Sequence, residues 1–414
     1  MEIDTQSKRA MQNGFDGHAQ AHHYPLQPAT FDRMVALRRD FHRHPELGWQ
    51  EHRTAGRICA VLDELGIPYR RGVAKTGVLA EMAGPADVPA VALRADMDAL
   101  PIHEETGLPF TSTHDGIMHA CGHDGHLSML LGAVELMAAD KDRPAPIRLI
   151  FQPAEELGAG AQAMIREGAL QGVGMVFGGH LDRHYPTGAI IVSNGVVNAS
   201  TDKFEIRIEG QQAHGARPHE SVDALVVGSL MVTTLQTLVS REVDPAHPSV
   251  VSVGRFEAGT AANVIAGQAV LEGTIRAQET EVRKQLKQGV ARMARAIGRI
   301  HGARVKVRFP SYAPPVVNPP EATALARRAA RLTVPDDLVR PLHKANMGAE
   351  DFSYYLQKRP GCYVRLGSQM PGHEGFPAHS SKFDFDEAAL ATGARYFANI
   401  ARVAGEALSR ADAA

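Results

Sequence analysis

From about Phe31 the chain alternates helix-period and strand-period segments. Near Ser200 the order of that alternation changes, and the first pattern resumes after Pro310. Phe31, Met34, Leu37 and Phe41, then Ile58, Val61, Leu62 and Leu65 closed by Gly66, have the spacing of two amphipathic helices. Val88-Pro-Ala-Val-Ala-Leu93, Ile147-Arg-Leu-Ile-Phe151 and Met175-Val-Phe177 are short apolar strands, separated by helices over 127–139 and 161–170. Strands alternating with helices predict an α/β sheet with covered faces. Beyond Ser200, Phe204-Glu-Ile-Arg-Ile208 alternates like a half-exposed strand. A helix over 222–240, strands over 250–256 and 269–275, a helix over 282–300 and a strand over 305–309 follow it. That order is a β-α-β-β-α-β unit, the ferredoxin-like arrangement. After the Pro-rich stretch 313–320 come a helix over 322–332, the strand Cys362 to Leu366 and a last helix over 387–408. The expected organisation is a loose polar tail over 1–29 and one mixed-sheet α/β domain built from 30–199 and 313–414. The ferredoxin-like unit over 200–312 is inserted into it.

Composition narrows the partners. With 44 basic against 46 acidic residues and a net charge of −2, the chain has no electrostatic footprint for nucleic acid. The helix over 282–300 sets Arg283, Lys284, Lys287, Arg292, Arg295 and Arg299 opposite Val282, Leu286, Met293, Ile297 and Ile300. This is the pattern of a solvated amphipathic face. The uncharged stretch 224–240 is broken by Ser229, Thr233, Thr234, Gln236 and Thr237, so no membrane span is expected. Three cysteines, Cys59, Cys121 and Cys362, cannot form a disulfide framework, which suits a reducing cytoplasm. The tail carries His18, His22 and His23 and has no apolar core, unlike a signal peptide. A small-molecule partner is expected.

The chemistry-bearing residues gather just after predicted strands, where α/β sheets place their active sites. Asp96-Met-Asp98 follows 91–93, Glu155-Glu156 follows 149–151, His180 follows 175–177, and His379 lies downstream of 362–366. Cys121 and His123 occupy a Gly-containing turn before a helix. Singly, each has an ordinary explanation: a capping aspartate, a polar turn, a buried thiol, a surface histidine. Jointly, they are the side chains that bind Zn, Mn, Co or Ni, supplied by converging loops. Cys-x-His spacing lets both side chains reach a metal pair from one turn. Adjacent Glu155 and Glu156 can divide their labour, one binding metal and one remaining free as a general base for an attacking water.

His42-Arg-His-Pro-Glu-Leu47, Leu93-Arg-Ala-Asp-Met-Asp-Ala-Leu-Pro101, Met118-His-Ala-Cys-Gly-His-Asp-Gly-His126, Phe151-Gln-Pro-Ala-Glu-Glu156, Gly348-Ala-Glu-Asp-Phe-Ser353 and His379 appear in that order. Together they resemble the M20 peptidase family, in the subgroup of aminoacylase, hippurate hydrolase and indole-acetyl-amino-acid hydrolase type amidohydrolases. The resemblance covers about Phe31 to Arg402 and extends to the insert, which that family uses as a lid and dimerisation domain. It implies two divalent metal ions (Mn, Zn, Co or Ni) held by Cys121, His123, Glu156, His180 and His379, with Glu155 as general base. It also implies that Asp98 orients a metal-bound histidine. In the lid, Gly210-Gln-Gln-Ala-His214 is similar to the segment whose histidine stabilises the oxyanion in a partner subunit's site. Asn263 and Arg276 match positions associated with the substrate carboxylate, for which a guanidinium fork is well suited.

Three neighbours stay outside that set. Asp96 falls where other branches have a metal-binding His and is not counted as a ligand. His126 reads as packing at the helix start. His184, in the unusual run Gly178-Gly-His-Leu-Asp-Arg-His184, rivals His180. The implied activity is hydrolysis of the amide bond of an N-acyl amino acid, conjugate or short peptide by a homodimer. The competing readings are a hydrolytic deaminase on the same centre and a binding protein that kept the fold without the chemistry.

Overall fold

The computed structural model describes residues 24–310, 312–372 and 375–412. The tail expected over 1–29 therefore lies mostly outside the described residues. Where they begin, Tyr24 is already buried, its hydroxyl donates to Asp140 Oδ2 at 2.9 Å, and a helix starts at Pro28.

The strands in chain order are β1 (Tyr69–Val73), β2 (Gly77–Met82), β3 (Ala90–Asp96), β4 (Ile147–Gln152), β5 (Val173–Pro186), β6 (Ile190–Ile191), β7 (Gly195–Asn198), β8 (Ser200–Glu209) and β9 (Ala213–His214). They continue as β10 (Ser249–Ala258), β11 (Val264–Ile265), β12 (Gln268–Ala277), β13 (Arg304–Arg308), β14 (Tyr312–Ala313), β15 (Val316–Asn318), β16 (Val339–Arg340) and β17 (Gly361–Gln369). The main sheet has the order β1-β2-β4-β3-β5-β17-β6-β16. Its centre, β4-β3-β5-β17, is parallel; β1 and β2 pair antiparallel, β2 is antiparallel to β4 and β6 to β17, while β16 runs parallel to β6, so the sheet is mixed as expected. Parallel strands are covered on both faces, which is why β3 is buried along its whole length. Val91, Leu93 and Ala95 face one core with the helices Pro28–Arg43, His52–Glu64, His123–Ala138 and Ala389–Asp412. Ala90 and Ala92 face the other, with Met164 and Tyr355.

The inserted unit forms its own antiparallel sheet, ordered β10-β12-β8-β13, with β14 also pairing β8. Numbered within the unit, that order is 2-3-1-4, the ferredoxin-like topology. Phe204, Ile206 and Ile208 alternate inward and pack with Met231, Leu235, Leu286 and Val290 from two helices. The helical segment Ala224–Glu242 is long and apolar enough to cross a membrane by length and composition. Here its Val227, Met231, Leu235 and Leu238 are buried in this core.

The structure departs from the sequence expectation in informative places. β1 was not legible because Tyr-Arg-Arg-Gly-Val is an edge strand with four of its five residues exposed. β5 runs on to Pro186, well past Phe177, because β17 pairs with it in parallel through Asp182 and again at Pro186. His180 therefore sits within a strand rather than beyond its end. The helix expected over 161–170 is shorter, Gly160–Arg166, followed by Gly168 at φ +92°.

Pairing of β17 with β5 depends on Gly361, where an added Cβ would stand 1.8 Å from the carbonyl oxygen of Val176. Gly361→Ala is expected to destabilise the fold by about 3 kcal/mol. Denaturant unfolding measures it, and a neutral result would show that the strands can part at no cost.

Candidate metal centre

The carboxyl ends of β3, β4, β5 and β17 point the same way, and the loops that leave them meet the N-terminus of helix His123–Ala138. Gly122, at φ +89°, turns the chain between Cys121 and His123, so that one side chain precedes the helix and the next begins it. Cys121 Sγ lies 3.4 Å from His180 Nε2. His379 Nε2 lies 3.3 Å and His123 Nε2 3.9 Å from Glu156 Oε1. Two donors bound tetrahedrally to one ion at 2.0–2.3 Å are about 3.5 Å apart, so these separations are compatible with the side chains sharing divalent ions.

Cys121, His123 and His180 form one group with donor atoms within 4.8 Å of one another, and Cys121, Glu156 and His379 form another. Cys121 belongs to both. The five sequence candidates are thus brought together as two overlapping sets. A further observation speaks for cations there: His123 Nε2 and Glu156 Oε1 are sealed from solvent yet make no hydrogen bond. Buried polar atoms seldom lack a partner. The donor set, a thiolate, imidazoles and a carboxylate, suits two divalent ions of the Zn, Co, Mn or Ni class.

The outer contacts fix the ligands. Asp98 takes the N–H of Glu155 on Oδ1 at 3.1 Å and that of Glu156 on Oδ2 at 3.0 Å. Its link to His123 is mainly through its main-chain carbonyl, 2.8 Å from Nδ1, with the carboxylate at 3.4 Å. His180 Nδ1 faces Leu181 O at 2.6 Å, which leaves Nε2 for Cys121 and a metal. His379 has φ +68°, and its N–H donates to Ala120 O at 2.7 Å. Ala154, just before the paired glutamates, has φ +53°, and its N–H donates to Glu51 Oε1 at 2.9 Å. Positive φ at non-glycine residues is uncommon, and both cases adjoin candidate site residues.

Burial, helped by Glu350, Glu156 and Asp351, holds the Glu155 carboxyl well above the usual carboxylate range. Burial, with Glu156 adding, pushes the Cys121 thiol up to about 12, so a metal ion would have to draw off its proton. Burial opposes charge on His123, but Asp96 beside it raises that ring well above the ordinary value.

Several residues play larger parts than their sequence suggests. Asp96, left out of the ligand set, is fully buried 3.8 Å from His123 Nε2 and bonded to Arg94 at 2.5 Å and to His126 Nδ1 at 2.6 Å. His126 is no mere packing residue, since its Nε2 also accepts the N–H of Leu181 at 3.0 Å. Sequence spacing carried hints of both. Arg94 and Asp96 are two apart on a strand, and His123 and His126 three apart on a helix, so each pair shares a face. Glu51, whose other oxygen takes the Thr76 hydroxyl at 2.5 Å, gave no local signal. His184 is exposed and bonded to Asp182, outside both donor groups.

The lid candidates lie elsewhere. His214 in β9 is exposed, and Asn263 is exposed beside it, its carbonyl accepting the N–H of Gly215. Neither hydrogen-bonds or ion-pairs with the donor groups among the described residues. Arg276 pairs with neither Glu272 nor Glu257; its guanidinium donates to Met347 O at 2.9 Å, three residues before Glu350. Arg255 takes those two glutamates instead.

The family model of Peptidase family M20/M25/M40 matches residues 92–403. The chain belongs to this family. It is 40% identical over 371 residues to the N-acetyl-L-cysteine deacetylase of Bacillus subtilis, covering 88% of this chain and 87% of that one. It is 42% identical over 287 residues to the N-acyl-L-amino acid amidohydrolase of Geobacillus stearothermophilus, covering 69% and 78%. Among solved structures, the Bacillus subtilis YXEP protein, described as a dinuclear metal binding peptidase from the M20 family, superposes with a TM-score of 0.79. It is 36% identical, with coverage of 92% and 99%. This M20 chain is accordingly an amide-bond hydrolase, with a main sheet and a lid sheet as in its family.

Asp98→Asn would set an amide N–H against one of the two main-chain N–H groups it now accepts. The expected result is metal affinity reduced about 10–100-fold in this M20 enzyme. Metal titration checks it, and unchanged affinity would remove Asp98 from the centre's support.

Proposed function

We propose that this enzyme hydrolyses the amide bond of N-acyl amino acids at a two-metal centre held by Cys121, His123, Glu156, His180 and His379. The observation that carries the reading is the overlap of the two donor groups at Cys121, with the Glu155 carboxylate close to His123 and Glu156. The B. subtilis and G. stearothermophilus relatives, named for N-acyl amino acids, support the substrate class. Bound divalent ions supply a Lewis acid for the carbonyl and ease ionisation of the attacking water.

Glu155 is the general base. It takes the proton from water as the carbonyl is attacked and returns it to the leaving amine, so that a carboxylic acid and a free amino acid depart. Asp98 and Glu51 hold the turn that presents Glu155, through the N–H groups of Glu155, Glu156 and Ala154. His214 stabilises the oxyanion and Asn263 and Arg276 hold the substrate carboxylate, the first two reaching the site from a second subunit of a homodimer. The exposure of His214 and Asn263 on one ribbon supports supply in trans. Three free cysteines suit action in a reducing cytoplasm.

Glu155→Gln is expected to lower turnover of an N-acyl amino acid about 10²–10⁴-fold while metal content is retained. Near-normal turnover, measured by release of the free amino acid, would sink the assignment. Supply in trans has its own test. Glu155→Gln and His214→Ala are each expected to be nearly inactive, yet co-refolded as mixed dimers they should recover about a quarter of wild-type activity. No recovery, with mixed dimers demonstrated, would place His214 in its own subunit's site or outside catalysis.

A further inference from the structure

Among the described residues three arginines are buried: Arg38, Arg94 and Arg365. Arg38 bonds Asp124, Asp384 and Glu387, and Arg94 bonds Asp96, Glu350 and Asp351. Each positive charge thus carries a full shell of carboxylates, as burial of an ion demands. Arg365 does not. It is 5% exposed, and its contacts are neutral: Nη2 donates to Asn198 Oδ1, and its guanidinium carbon lies 5.6 Å from the centre of the Tyr363 ring. No carboxylate of the described residues lies within ion-pair distance of it.

Its position makes that vacancy in charge informative. In the parallel pairing of β17 with β5, Arg365 stands opposite His180, one strand spacing of about 4.8 Å from a proposed ligand. Asn198, its partner, donates onward to Gly348 O at 3.1 Å. Arg276 reaches the neighbouring carbonyl, Met347 O, from the lid sheet, and no carboxylate of the described residues pairs with it either. Two guanidinium groups without counter-ions therefore flank the segment that leads to Glu350 and Asp351 beside Glu155.

We propose that Arg365 is an anion anchor within the substrate cleft and that the preferred substrate carries a second carboxylate besides the amino acid's own. This deepens the N-acyl amino acid reading and rests on it for the position of the scissile amide. The second carboxylate belongs either to a dicarboxylic acyl group or to an acidic amino-acid side chain. In both cases it meets a planar, desolvated guanidinium able to bind it with two parallel hydrogen bonds. Asn198 fixes the rotamer, and the Tyr363 ring supports one face of the group.

The test compares N-succinyl-L-leucine, N-acetyl-L-glutamate and N-acetyl-L-leucine on the metal-loaded wild type and on Arg365→Met. In the wild type one of the two dianions should exceed N-acetyl-L-leucine in kcat/KM by about tenfold or more, and which one does identifies the side of the amide that carries the charge. In Arg365→Met that ratio should fall about tenfold, mainly through KM. Independently, glutarate should bind the wild type about tenfold more tightly than butyrate by calorimetry, and the variant should lose the difference. Hydrolysis of N-acetyl-L-leucine with no preference for either dianion, and no glutarate preference, would overturn the anchor while leaving the amidohydrolase reading intact. Glutarate binding through Arg365 without hydrolysis of any of the three would overturn the N-acyl amino acid reading and keep the anchor. The wild-type comparisons decide the matter even where Arg365→Met does not fold.

Discussion

The guanidinium of Arg94 is the contact on which the rest of the site depends. It lies beneath the carboxyl ends of the central strands and binds Asp96 of β3, Gln152 of β4, and Glu350 and Asp351 of the segment before β17. Glu350 and Asp351 lie close to Glu155, and so many acids could not share a buried volume without a compensating cation. Removing one partner of such a cluster typically costs about 3–5 kcal/mol, because the other charges remain buried. Arg94 therefore does more than join strands. It lets Glu155 sit in a desolvated, acidic setting that raises its pKa without driving the loops apart. Asp96, neutralised on one side by Arg94, then orders His126 and approaches His123 on the other.

A second layer of order comes from carboxylates that bind main chain rather than cations. Glu51 and Asp98 together accept three successive N–H groups, those of Ala154, Glu155 and Glu156. The turn pays for its left-handed Ala154 with these bonds, and the result is a backbone from which one glutamate faces the donors and its neighbour stands beside them. The same logic holds at His379, where a left-handed residue is tied to Ala120 next to Cys121. Candidate ligands distant in sequence are thereby linked through main chain, so the fold itself sets the geometry of the donor groups.

Much of this was legible in the sequence, and the reasons differ by residue. Buried parallel strands need continuous apolar runs, so β3 and β4 showed themselves, as did the alternating Phe204, Ile206 and Ile208 of the insert. Cys121, His123, Glu155 and Glu156 stood out because their chemistry and their place after strands coincide. The support beneath them was hidden. Glu51 lies at the start of a helix and works at a distance of more than a hundred residues in sequence, and nothing local distinguishes it from a surface carboxylate. β5 looked short because Gly178, Gly179 and the polar 182–184 stretch resemble a turn, whereas pairing with β17 extends it. His126 appeared to be packing because its two partners come from β3 and β5, which only tertiary structure brings to it.

Within one chain the centre is well supported on the side of the main sheet and sparse on the side of the lid. The donor groups, Glu155 and their carboxylate supports all arise from the main-sheet segments, while His214 in β9 and Asn263 just before β11 are exposed. Arg276 reaches from the lid sheet to the segment before β17 through a main-chain carbonyl rather than a charge. This division separates chemistry from selection. In the proposed reading, metal binding and proton transfer rest on buried bonds that tolerate little change, whereas recognition falls to cations that pair with no carboxylate among the described residues. A guanidinium held by neutral groups beside a metal centre retains its full attraction for an anion, because no internal carboxylate must first be displaced. Affinity for the substrate's charged ends can therefore be tuned at the cleft wall without disturbing the bonds that position Glu155.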